Sequence, residues 1–233
     1  MSAKIVFKDV TVSFNVKKQA SSILGKKREP YKALDRISFE INEGDRVGIL
    51  GNNGAGKSTL LRVISDILPT DSGEVLVTGD VHGALSLTNK LMAKSSCLEN
   101  IKMRAFYYGF SGKNARDYVQ QVRDLADLED FIHQPIQTLS NGMKSRLMIA
   151  MFYAFNHDII AFDEWVGVLD RTQLSGKAGL RRLVDSAKIS VLASHNMGFI
   201  RRYCSRGIVL NRGKVEFDGD VNKAILVQKE LSV

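Results

Sequence analysis

Arg46-Val47-Gly48-Ile49-Leu50-Gly51-Asn52-Asn53-Gly54-Ala55-Gly56-Lys57-Ser58 joins a short apolar run to a glycine-rich octet, and its reading decides the fold. The run reads as a buried strand. From Lys57 the apolar spacing is that of an amphipathic helix to about Ile67, where Pro69 stops it. The octet fits G-x-x-x-x-G-K-[ST] in the context that gives the pattern meaning, after a strand and at the start of a helix. Its glycines let the backbone curl so that successive N–H groups face a polyphosphate, and the helix N-terminus adds a positive dipole end. Lys57 is placed to bridge β- and γ-phosphates and Ser58 to give its hydroxyl to Mg²⁺. Gly51, Asn52, Asn53, Gly54, Ala55, Gly56 and Thr59 complete the expected phosphate-binding set.

Working outward, Ile5 to Phe14 and Arg36 to Ile41 alternate apolar and polar residues, the pattern of antiparallel strands. A loop dense in Lys and Arg separates them. Downstream, Ile159 to Phe162, Ile189 to Ala193 and Ile208 to Leu210 are apolar runs at intervals filled by helical patterns, which argues for parallel strands flanked by helices. Asn211-Arg212-Gly213 marks a hairpin turn and Val221 to Leu231 a final helix. Residues from about 88 to 154 lack a strand pattern, whereas Ala115 to Leu128 and Met143 to Phe155 have helical spacing. These patterns predict an α/β fold in one body, residues 1–233. It combines a mostly parallel core sheet, an N-terminal antiparallel β subdomain and a helical insertion over about 88–154.

A phosphate loop needs a carboxylate for its metal. Asp163, ending the run Ile159-Ile160-Ala161-Phe162, supplies one where α/β sheets place ligands. Glu164 follows directly and is the candidate general base for an attacking water.

With these residues in place the sequence resembles the nucleotide-binding subunits of ABC transporters over nearly its whole length. Leu139-Ser140-Asn141-Gly142-Met143 matches the family's signature motif in its Leu, Ser and second Gly; Leu169-Asp170 matches the D-loop, and Ser194-His195 the switch histidine. The resemblance implies a P-loop NTPase of the ABC ATPase type that hydrolyses ATP with Mg²⁺. It implies catalytic roles for Lys57, Glu164 and His195, metal contacts from Ser58 and Asp163, and a D-loop contact from Asp170. It also implies a homodimer, in which Ser140, Asn141, Gly142 and Met143 bind the ATP held by the opposite subunit. Adenine stacks in this family on one upstream ring, for which Phe14 and Tyr31 compete.

Two departures stand out. The family's glutamine between phosphate loop and helical insertion is missing, since no Gln occurs between Gln19 and Gln120; Asn89 is the nearest amide. The signature reads Ser140-Asn141-Gly142-Met143-Lys144-Ser145-Arg146-Leu147, which resembles the subgroup exporting capsule, O-antigen and teichoic acid, as does the basic loop ending Pro30-Tyr31-Lys32. That likeness implies a separate transmembrane permease of the ABC-2 kind and a peripheral position on the cytoplasmic face of the cell membrane. The sequence ends near the last helix expected of a minimal cassette, so the further sugar-binding domain of some O-antigen exporters is not expected.

The composition bounds the alternatives. With 233 residues, 44% hydrophobic and 25% charged, the chain can bury a core, which excludes disorder as its class. Its longest apolar stretch, Leu147 to Phe155, is about half of what a spanning helix needs. Cys97 and Cys204 lack metal-ligand spacing and read as free thiols. A net charge of +8 also suits a soluble ABC ATPase acting on nucleic acid or ribosomes. Such proteins carry paired cassettes or long coiled coils, neither of which the sequence has, so no nucleic acid partner is expected. An exporter of lipid or drug is the other alternative.

Overall fold

The computed structural model describes residues 2–15, 30–83, 91–155, 157–163, 181 and 184–232. In chain order the elements are β1 (Lys4–Phe14), β2 (Tyr31–Asn42), β3 (Arg46–Leu50), α1 (Lys57–Ile64), β4 (Ser72–Thr78), β5 (Val81–Gly83), α2 (Cys97–Tyr107), α3 (Gly112–Ala126), α4 (Asn141–Tyr153), β6 (Ile159–Asp163), β7 (Ile189–Ala193), α5 (Met197–Tyr203), β8 (Arg206–Asn211), β9 (Lys214–Asp220) and α6 (Val221–Glu230). Contacts divide them into two compact units.

The first unit holds both sheets. β1 pairs antiparallel with β2 on one side and β4 on the other. Strict alternation would turn position 9 inward after Ile5 and Phe7. Instead Asp9 takes a φ of 50° and its N–H donates to Ser38 Oγ, so the strand bulges and Val10 and Val12 face the core. Phe7 stacks on its cross-strand partner Phe39 with ring centroids 4.6 Å apart.

The larger sheet has the order β5-β6-β7-β3-β8-β9, parallel from β5 to β8, with β9 returning antiparallel. β6 and β7 are nearly continuous apolar runs because both faces are covered. Leu60, Leu61 and Ile64 of α1 share one core with Ile5, Phe7 and Leu34 of the small sheet and Ile49, Ile159 and Val191 of the large one. Each such side chain contributes about 1.5–3 kcal/mol of transfer free energy. This mixture of a mostly parallel sheet and a three-stranded antiparallel sheet is the expected α/β architecture.

Helix α1 ends three residues before the expected Ile67, and Pro69 is not what stops it. Asp66 adopts a φ of 52°, and the Asp66 and Ile67 N–H groups return to the Val63 and Arg62 carbonyls, a Schellman closure with Asp where Gly is usual. Strands β4 and β5 and helix α2 went unrecognised in the sequence. β4 is an edge strand and only half-buried, which leaves little periodicity to read.

The second unit is helical, and among its described residues there is no strand. α2 opens with a capping box in which Ser96 Oγ accepts from Glu99 N–H and the Glu99 carboxylate accepts from Ser96 N–H at 2.7 Å. Those bonds hold the Glu99 carboxyl below its usual range. Ile101, Ala105, Tyr118, Val122, Leu147 and Ala150 form the core between α2, α3 and α4. The Tyr118 hydroxyl donates to the Met151 carbonyl at 2.7 Å.

Cys97 and Cys204 are free and buried, and burial pushes the Cys204 thiol up to about 12, so both thiols are unreactive near neutral pH.

Gly207 lets α6 lie against β8: a Cβ there would sit 2.5 Å from the Ala224 methyl, which has no rotamer through which to escape. Gly207→Ala should therefore lower stability by about 1–3 kcal/mol. A urea unfolding midpoint equal to the wild type would show that α6 can lift at no cost.

Candidate functional site

The geometry of the site begins at the C-terminal edge of the large sheet. Ile49 of β3 and Asp163 of β6 both pair with Ala193 of the intervening β7, so the three lie in one row. The Gly51–Ser58 loop starts two residues beyond that row on β3, and His195 lies two residues beyond it on β7. Parallel strands put all three features on one edge.

The loop is shaped by close approach. Gly51 has φ 150° and a Cβ there would lie 2.5 Å from the Leu210 carbonyl oxygen; at Gly56, φ 111°, it would lie 2.4 Å from that of Ala33. β8 and β2 thus press on the loop from two sides, and only glycine fits. The hairpin turn at Arg212 and Gly213 supports it further, with Gly213 N–H donating to the Ala55 carbonyl and its carbonyl accepting from Asp35 N–H. Lys32 donates to the Asp35 carboxylate and holds it below the usual carboxylate range, so this brace stays charged near neutral pH.

Lys57 is 6% exposed, and its Nζ donates to the Gly51 carbonyl at 2.7 Å and the Asn52 carbonyl at 3.1 Å. The ammonium is therefore fixed within the curl of the loop. Gly56 caps α1 without any side-chain bond, and no acidic residue occupies the first turn. The positive end of α1 faces the loop with no carboxylate in its own first turn. Ser58 is exposed on that turn and Thr59 half-buried.

Phe14 and Tyr31, the two competing rings, are cross-strand partners at the end of the β1–β2 ribbon. They line one cleft of about 190 Å³ with Asn53, Gly54 and Thr59. Both are exposed, and the Tyr31 hydroxyl donates to the Gly54 carbonyl, tying that ring to the loop.

Asp163 is half-buried at the end of β6. His195 is exposed in a turn closed by Asn196 N–H donating to Ser194 Oγ and Phe199 N–H donating to Asn196 Oδ1. In the helical unit Ser140 caps α4, its Oγ accepting from Met143 N–H at 3.2 Å. Asn141 and Gly142 are exposed, and a Cβ at Gly142 would meet only Ser140 Oγ, at 3.9 Å. Nothing among the described residues requires glycine there. Glu164, Asp170, Asn89 and most of the basic loop before Pro30 lie outside the described residues.

The supports of the loop were not read from the sequence. Gly213 carried a turn signal that gave no hint of its partner, and Asn52 proves to be gripped from α6, as described below.

Comparison with known proteins agrees with this geometry. The sequence model of the ABC transporter family matches residues 34–167. The chain is 33% identical to the O-antigen export system ATP-binding protein RfbE of Yersinia enterocolitica, an alignment covering 91% of this chain and 95% of that one. It is 34% identical to the teichoic acids export ATP-binding protein TagH of Lactococcus lactis over 90% of its own length, but spans only 46% of that relative. Among solved structures it is similar to the dimeric post-hydrolysis state of the ATP-binding cassette MJ0796 bound to ADP and Pi. There the TM-score is 0.73 at 26% identity, covering 93% of this chain and 98% of that one. Sequence and fold together place the chain in the ABC transporter family, as an ABC ATPase similar to the subunits that serve polysaccharide exporters.

Proposed function

We propose that the chain is the ATP-binding and ATP-hydrolysing subunit of an exporter that moves a cell-surface polysaccharide, or its lipid-linked precursor, across the cytoplasmic membrane. The observation that carries the hydrolytic part is the single row that brings the Gly51–Ser58 loop, Asp163 and His195 to one sheet edge. Support for the cargo comes from RfbE, named for O-antigen export and matched over 95% of its length, and from the S-x-G-M-x-x-R-L signature at Ser140 to Leu147.

Each residue then has a task. Lys57 neutralises charge on the β- and γ-phosphates, and the first-turn N–H groups of α1 bind their oxygens. The Ser58 hydroxyl and Asp163 carboxylate are hard oxygen donors, which suits Mg²⁺ and leaves its other positions to phosphate and water. When bound, Mg²⁺ supplies charge stabilisation to the phosphates. Glu164 takes a proton from the attacking water, and His195 hydrogen-bonds the γ-phosphate. Tyr31 stacks on adenine, held in place by its bond to the Gly54 carbonyl, with Phe14 beside it. Stacking reads no base edge, so GTP should compete well.

Residues 1–233 act as one cassette, with the helical subdomain at about 88–154, and two copies form a homodimer. Ser140, Asn141, Gly142 and Met143 of one copy close on the ATP of the other, and Asp170 lies at the seam. The open surface at Gly142 supports this, as does the dimeric state of the MJ0796 structure. No described helix is long and apolar enough to cross a membrane. A separate permease supplies the translocation path, a reading supported by the export-system names of RfbE and TagH. On α2, Phe106 is 82% and Tyr107 73% exposed beside the half-exposed Met103. This apolar face docks the permease and holds the chain on the cytoplasmic side of the membrane.

Four measurements test the reading. Phosphate release by Glu164→Gln should fall by about 10²–10⁴-fold while ATP traps a dimer on size exclusion; unchanged turnover would remove Glu164 from its role. Tyr31→Ala should weaken ATP binding by about 1–3 kcal/mol in titration calorimetry, and a larger loss in Phe14→Ala would exchange the two rings. Phe106→Ser with Tyr107→Ser should free the chain from sedimenting membranes without lowering its basal turnover. Stimulation of turnover by RNA or DNA would overturn the exporter reading.

A further inference from the structure

The buried stripe of α6 is Val221, Ala224, Ile225 and Gln228, spacings of three, one and three that line one helix face. Its fourth place holds an amide where the pattern calls for an aliphatic residue. Gln228 is 5% exposed, and its Oε1 has no hydrogen-bond partner among the described residues. A buried, half-satisfied amide is a poor core residue.

What Gln228 does hold is the phosphate loop. Its Nε2 donates to Asn52 Oδ1 at 2.7 Å and to Ser232 Oγ at 2.9 Å. Ser232 Oγ lies 2.9 Å from the same Asn52 oxygen, and Asn52 Nδ2 donates to the Leu231 carbonyl at 3.1 Å. Asn52 is thus gripped on both its acceptor and its donor by residues some 180 positions away in sequence. Its main chain, meanwhile, serves the site: the Asn52 carbonyl accepts from Lys57 Nζ and from Ala55 N–H, both at 3.1 Å. Any side chain satisfies the x after Gly51 in the phosphate-loop pattern, but one with a donor and an acceptor can be clamped from outside.

We propose that Gln228 is a positioning residue for nucleotide binding: by clamping the Asn52 side chain, α6 fixes the carbonyl that orients the Lys57 ammonium. The proposal rests on the nucleotide reading of the Gly51–Ser58 loop. It makes the last helix a structural part of the phosphate site. The polar break in the α6 stripe is then a cost in packing that is offset by a rigid loop.

Gln228→Met separates this role from packing, because methionine keeps the length and removes the amide. In the full 233-residue chain it should leave the urea unfolding midpoint equal or raised. Its affinity for AMP-PNP with Mg²⁺ should fall about three- to tenfold, the worth of one hydrogen bond. Asn52→Ala should show a similar loss, and the double variant should be no weaker than the worse single one, since both break the same clamp. Unchanged affinity in Gln228→Met would overturn the proposal, as would losses that multiply in the double variant. An affinity loss accompanied by a lowered midpoint would make Gln228 a packing residue and overturn it too. Failure of the wild type to bind AMP-PNP would instead overturn the nucleotide reading, and the clamp with it.

Discussion

A buried ammonium between two backbone carbonyls is the contact on which the rest of this structure depends. A loop that turns its N–H groups outward toward an anion turns carbonyls inward, and those carbonyls need donors. Lys57 Nζ serves Gly51 and Asn52, and Gly213 N–H serves Ala55. In return the carbonyls make burial of a charged amine tolerable, which apolar surroundings alone would not. The sheet that carries the loop must then supply the backbone that presses on it. β2 and β8 do so through Ala33 and Leu210, close enough that Gly56 and Gly51 accept no side chain.

Much of this was legible because the signals are local. β3, the octet and the start of α1 follow from composition and spacing within about a dozen residues, and β6 and β7 are apolar because both their faces are covered. The alternation of apolar runs with helical patterns likewise implied parallel strands, and the sheet order agrees. Asp163 and His195 were legible as strand-end residues, although their common register with Ile49 is a property of pairing that no single segment carries.

What was not legible depends on contacts between distant segments. The Asp9 bulge shifts the phase of β1 in mid-strand, so that counting every second residue from Ile5 gives the wrong face by Val10. Asp66 closes α1 from a left-handed conformation that Gly would have advertised and Asp does not. Gln228 interrupts an otherwise apolar stripe, and such an interruption shows that a residue is unusual without showing that its partner is Asn52.

Strand order also explains why a site can be assembled from residues so far apart in sequence. β7 lies between β3 and β6, so the phosphate loop and Asp163 rise from strands two places apart, separated by roughly 10 Å at the usual strand spacing. The strand inside that gap carries His195 two residues beyond the common row. Inserting β6 between β7 and β3 instead would keep every residue and every motif, yet it would exchange the places of the carboxylate and the histidine relative to the loop. The chemistry available at this edge therefore depends on the crossover connections as much as on the residues they carry.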